Sequence, residues 1–102
     1  MSTKDVPTKD VPAGFDLDRA WRLADRVAVR PERFGALLYH FGTRRLSFLK
    51  NTTLLAVVRG LARNPDARAA CAEAGVAAGE LPKYRAALAA LAASDMIQPR
   101  SR

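Results

Sequence analysis

Val27 to Lys50 reads VAVRPERFGALLYHFGTRRLSFLK and concentrates the aromatic residues Phe34, Tyr39, Phe41 and Phe48. Three strand-like runs lie inside it: Val27 to Arg30, Gly35 to Phe41, and Arg45 to Leu49. Pro31 to Arg33 separates the first two, because proline fixes φ and removes a backbone donor. Gly42-Thr43 is a short loop between two alternating runs, the pattern of an antiparallel hairpin. Period-2 spacing puts Leu37, Tyr39 and Phe41 on one face, with Leu46 and Phe48 across the hairpin, and predicts that this is the core face. Ala36, Leu38, His40, Arg45, Ser47 and Leu49 then form a mixed, partly wet opposite face.

Beyond the hairpin the period changes from 2 to 3.6. Asn51, Thr52 or Thr53 can cap a helix whose stripe is Leu54, Val57, Val58 and Leu61, ending at Asn64-Pro65. A second helix, capped by Asn64 and stopped by Gly75, places Ala67, Ala70, Cys71 and Ala74 on one face. A third runs from near Pro82 to about Ala93 with Tyr84, Leu88 and Leu91; alanine fills most of the rest and offers a partner little to grip. The last two helices have helix-turn-helix spacing, with the hairpin as a wing.

On the N-terminal side the pattern fades. Thr3-Lys4-Asp5-Val6-Pro7 is repeated as Thr8-Lys9-Asp10-Val11-Pro12, so residues 1–14 read as a flexible tail with little to bury. Phe15 to Leu23 reads as a strand or an extended arm that lays Trp21 on the domain. Met96, Ile97 and Pro99 form a short extended end that covers the core. Residues 15–98 are thus one domain, and residues 99–102 a loose tail.

Composition sets further bounds. With 102 residues, 49% hydrophobic and 26% charged, the chain is expected to be one globular domain. It has neither an apolar run of membrane-spanning length nor the pattern of a signal peptide, so a cytoplasmic location is expected. Cys71 is the only cysteine and reads as a small buried apolar residue. His40, the only histidine, reads as structural. The formal net charge is +7. Residues 19–63 carry ten Lys or Arg against Asp25 and Glu32, whereas residues 66–98 carry Arg68, Lys83 and Arg85 against Asp66, Glu73, Glu80 and Asp95. The sheet half is basic and the helical half is not.

These features exclude some chemistry and favour other kinds. No phosphate loop, nucleophile set, HExxH or carboxylate cluster is present, so no catalysis, cofactor or metal is expected. A small DNA-binding regulator remains an alternative, although the third helix offers only Lys83, Arg85 and alanines where base edges would be read. The third option is peptide binding by strand addition. An edge strand formed by Arg45, Leu46, Ser47, Phe48 and Leu49 would take the guest, with Tyr84 and Leu88 lining the groove. Arg44, Arg45 and Arg85 would favour acidic guest residues. Proline at Ser47 would weaken binding if the Ser47 N–H faces the guest. Equally, Arg44 and Arg45 can be read as a solvated hairpin tip that guards the edge against aggregation.

The run VAVRPERFGALLYHFGTRRLSFLKN, followed by TTLLAVVRGLA and ARAACAEAGV, resembles the PqqD-like family of peptide recognition elements, and within it the mycofactocin biosynthesis chaperones. The resemblance spans about Trp21 to Met96. It implies an α+β winged helix-turn-helix with a three-stranded antiparallel sheet followed by three helices, without catalysis of its own. It also implies binding of a precursor-peptide leader beside Arg45 to Leu49, toward Tyr84, Arg85 and Leu88, and presentation to a radical S-adenosylmethionine maturase. No specific nucleic acid or membrane partner is expected. A monomer or a weak dimer is expected, since the same edge can pair with a second copy.

Overall fold

A computed structural model describes residues 15–100; the duplicated N-terminal tail lies outside the described residues. The elements in chain order are β1 (Trp21–Leu23), β2 (Val27–Pro31), β3 (Ala36–His40), β4 (Leu46–Leu49), α1 (Thr52–Gly60), α2 (Ala67–Glu73), α3 (Leu81–Ala93) and β5 (Ile97–Pro99). Short 3-10 turns, Leu61–Arg63 and Ala78–Glu80, follow α1 and precede α3. The class is α+β. β2, β3 and β4 make an antiparallel sheet in chain order, and β1 pairs with β5 in a separate two-stranded ribbon.

The local signals explain these boundaries. A two-residue turn, Arg33-Phe34, joins β2 to β3, closed by mutual bonds between Glu32 and Gly35 (3.0 and 3.2 Å). The Asn51 side chain accepts the Leu54 N–H at 2.7 Å and starts α1. The cap of α2 is Asp66, not the expected Asn64: the Asp66 carboxylate accepts the Ala69 N–H at 2.8 Å. Asn64 instead donates to the Gly60 carbonyl (2.8 Å) and to Glu73 (3.0 Å), tying the two ends of the α1–α2 corner together. Gly75, at φ +89°, ends α2 as expected, with the Val76 N–H donating to the Cys71 carbonyl at 3.0 Å.

One expectation is reversed. Ala36, Leu38 and Leu49 are wholly buried, whereas Leu46 and Phe48 are 60% and 63% exposed. The core face of the hairpin is therefore the one expected to be mixed, and the aromatic-rich face looks outward. Alternation separates the two sets but does not say which one the helices will cover. α1 leaves β4 after only Lys50 and Asn51, and its stripe Leu54, Val57, Val58 and Leu61 joins the core cluster that holds Leu49. The small Ala36 and Gly35 permit this close approach: a Cβ at Gly35 would lie 2.1 Å from the Leu49 carbonyl oxygen.

The chain ends close the domain. Phe15 stacks on Trp21 with ring centroids 4.4 Å apart, and the Trp21 indole N–H donates to the Asp16 carbonyl at 3.0 Å. Pairing of Trp21 with Pro99 and of Leu23 with Ile97 lays the C-terminal strand over the same core. Of the expected loose tail, residues 99–102, Pro99 belongs to β5 and Arg100 is held by its guanidinium, which donates to the Ala62 and Asn64 carbonyls at 2.8 and 2.6 Å.

Candidate functional site

β4 is an edge strand, and its backbone polarity can be worked out from the register. The His40 N–H donates to the Arg45 carbonyl at 3.0 Å, which makes this a hydrogen-bonded pair. In an antiparallel ladder bonded and non-bonded pairs alternate, so Leu38/Ser47 and Ala36/Leu49 are also bonded pairs, while Tyr39/Leu46 and Leu37/Phe48 are not. The Ser47 N–H therefore faces β3. Leu46 and Phe48 direct their N–H and C=O groups outward, away from the sheet. The same alternation in β2–β3 leaves Pro31 opposite Ala36 in a non-bonded pair, where its missing N–H costs the ladder nothing.

The outward edge of β4 faces α3 across a groove of about 490 Å³. Residues 46–51 form one wall; Tyr84, Ala87, Leu91 and Ser94 form the other, with Lys83 and Ala90 beside them and Leu54 at the bottom. The spacing of Tyr84, Ala87, Leu91 and Ser94 is one helical face. The alanines thought too small to grip a partner are what leave this space between helix and strand. Among the described residues, the charged ones that line the groove are Lys50 and Lys83.

The sequence-predicted residues divide three ways. Leu46, Ser47, Phe48, Leu49 and Tyr84 line the groove. Arg44 and Arg45 lie at the exposed β3–β4 turn, beyond the lining, and Arg85 is half-buried on α3 and also outside it. Leu88 is wholly buried in the core and does not reach the groove. The sequence does not place Lys50, Lys83, Ala87, Ala90, Leu91 or Ser94 in the groove, although Ala87, Leu91 and Ser94 follow from helical spacing once Tyr84 is taken as the anchor.

Other reactive groups serve the fold. His40 is 9% exposed, and its Nδ1 accepts the Gly42 and Thr43 N–H groups at 2.9 and 3.1 Å, bracing the turn in which Arg44 adopts φ 66°. Burial pushes the Cys71 thiol above its ordinary pKa, which disfavours the nucleophilic thiolate. The Arg68 guanidinium, 2.8 Å from Asp18, holds that carboxyl below the usual range; hydrogen bonds from Arg63 and Asn64 do the same for Glu73. The first pair ties the turn before β1 to α2 and the second ties the end of the Leu61–Arg63 turn to α2, both outside the groove lining. Among the described residues, no group of three or more His, Cys, Asp or Glu side chains could hold a metal ion. No described helix is long and apolar enough to cross a membrane.

Residues 20–98 match the peptide chaperone MftB family. The chain is similar to the peptide chaperone MftB of Mycobacterium ulcerans (strain Agy99), 64% identical over 86 residues that make up 84% of this chain and 79% of that protein. It is 63% identical over 86 residues to the peptide chaperone MftB of Mycobacterium tuberculosis (strain ATCC 25618 / H37Rv), with the same coverage of both chains. To the Mycolicibacterium smegmatis (strain ATCC 700084 / mc(2)155) protein of the same name it is 59% identical over 85 residues, 83% of each. No solved structure matches the chain. The match runs from β1 into β5 and includes both walls of the groove, and on this evidence the chain belongs to the peptide chaperone MftB family.

Proposed function

We propose that this protein is a non-catalytic peptide chaperone that takes the leader of the mycofactocin precursor peptide as an added strand on β4 and presents it to a radical S-adenosylmethionine maturase. One observation carries this reading: the edge of β4, with the Leu46 and Phe48 backbone groups directed outward, opens onto a groove of about 490 Å³ whose far wall is α3. An extended guest would bond to those groups. Its alternate side chains, on the level of Ser47, would enter the space left by Ala87 and Ala90, and acidic residues near its ends would meet Lys50 and Lys83. The names of the relatives support the peptide as the ligand class.

The register moves the decisive substitution from Ser47 to Phe48. Proline at Ser47 removes a bond to β3 and damages the hairpin, whereas proline at Phe48 removes only an outward N–H, which an edge strand tolerates. Titration of precursor leader into Phe48→Pro and Phe48→Ala compares loss of side chain and N–H with loss of the side chain alone. The expected result is about tenfold weaker binding by the proline variant than by the alanine variant, the effect of one backbone hydrogen bond. Equal affinities in two folded variants would place the guest elsewhere. A random DNA duplex run in parallel is expected to give only weak, salt-sensitive binding.

A further inference from the structure

The groove leaves most of the sheet's outer surface unused. Phe34, Phe41, Leu46 and Phe48 are 46%, 56%, 60% and 63% exposed, and Leu37 and Tyr39 lie half-buried among them. These six form one continuous face. Register places Leu37 opposite Phe48 and Tyr39 opposite Leu46; Tyr39 meets Phe41 edge-on at 5.0 Å, and Phe34 lies 6.4 Å from Phe48. Such an area on a small domain signals contact with another surface.

We propose that this outer face docks a protein partner whose contact patch is apolar and ringed by carboxylates. The charge around the face specifies the chemistry. Arg26 lies opposite Phe41 and Arg30 opposite Leu37, while Arg33 and Arg44 occupy the turns at either end. Arg30 is paired with Glu32 at 2.9 Å. Among the described residues Arg26, Arg33 and Arg44 have no carboxylate partner, so their charge is available to an acidic rim. A second copy fits poorly, because face-to-face packing would bring these arginines against their own counterparts. A bilayer fits less well than a protein: the rings are carried by a sheet and its turns, not by an amphipathic helix that can sink below the headgroups.

The face and the groove share Leu46 and Phe48 along β4, so they are tested apart at residues that only the face holds. Phe34 and Phe41 lie outside the groove lining. The test measures binding of the precursor leader and of the purified radical S-adenosylmethionine maturase to the full chain and to the double variant Phe34→Ser/Phe41→Ser. Choosing the maturase as the probe rests on the function proposed above. The expected result is a leader affinity within about twofold of the unaltered chain and a maturase affinity reduced about tenfold or more, as for removal of central aromatic anchors. In Arg26→Glu/Arg33→Glu, maturase association should slow and lose its salt dependence. Unchanged maturase affinity in the double variant overturns the proposal, as does a maturase that ignores the unaltered chain. Loss of self-association or of anionic-vesicle binding in the same variant, with maturase binding intact, also overturns it in favour of a second copy or a membrane. Phe48 belongs to both surfaces, so loss of leader binding by Phe48→Pro is read for the groove and the face is judged by Phe34→Ser/Phe41→Ser.

Discussion

The two faces of the β3–β4 hairpin are built from similar residues and meet opposite fates. Leu38 and Leu49 are wholly buried, yet Phe48, one position from Leu49, and Leu46, two positions further back, are more than half exposed. Hydrophobicity does not distinguish them. What does is the direction in which the chain leaves β4, because α1 folds back over one face only and brings α2 and α3 with it. The difference teaches that an apolar residue's role in a small domain is set by what lies across from it. Inward leucines hold the fold, and outward aromatics are free to make contacts.

The sharpest way to break this comparison is to truncate the same residue type on both faces of one strand. Leu49→Ala should cost about 2–5 kcal/mol, because it leaves a cavity under α1. Leu46→Ala should stay within about 0.5 kcal/mol of the unaltered chain. Urea unfolding of both variants measures the contrast, and equal losses would mean that the outer face is covered in the free protein. A smaller effect is expected at the seam between the faces. Gly35→Ala forces the backbone away from the Leu49 carbonyl and should destabilise by about 1–3 kcal/mol. Gly79→Ala, with open space around the new methyl, should be neutral or stabilise by up to about 1 kcal/mol. Thermal unfolding of the pair separates a tight approach from the general cost of replacing glycine.

The smallest effect belongs to the exposed ion pair between Asp18, in the turn before β1, and Arg68 of α2, which lies on neither face of the hairpin. Asp18 has its pKa lowered by Arg68, so its contribution is present above the ordinary carboxylate range and is lost as pH falls through the lowered value. Both groups are exposed, and the expected slope is slight. Thermal midpoints from pH 6 down to pH 3 should fall less steeply in Arg68→Met than in the unaltered chain. An equal slope would show that this pair contributes nothing to the acid response.

Much of this fold is legible in the sequence because its signals are local. Pro31, Gly42, Asn51, Gly75 and Pro82 mark ends of elements through their own backbone chemistry, and the change of period at Asn51 divides sheet from helix. The cap of α2 was misplaced because Asn64 and Asp66 are both competent caps, and only the Glu73 carboxylate across the corner draws Asn64 away. The groove was half legible. Its β4 wall follows from edge position, but the size of Leu88 and the charge of Arg85 do not say where they point, and the helix turns Leu88 into the core and leaves Arg85 outside the lining.

By itself, the sequence determined the order of the elements, the hairpin register implied by alternation, the concentration of positive charge on the sheet half, and a family match that spans the domain. Only the tertiary structure decided which face of the hairpin is buried, which backbone groups of β4 point outward, and that alanines on α3 open a groove. The physical reason is range. Caps, turns and periodicity act over a few residues, but a face is buried, and an edge left open, only by elements that are distant in the chain and arrive together when it folds.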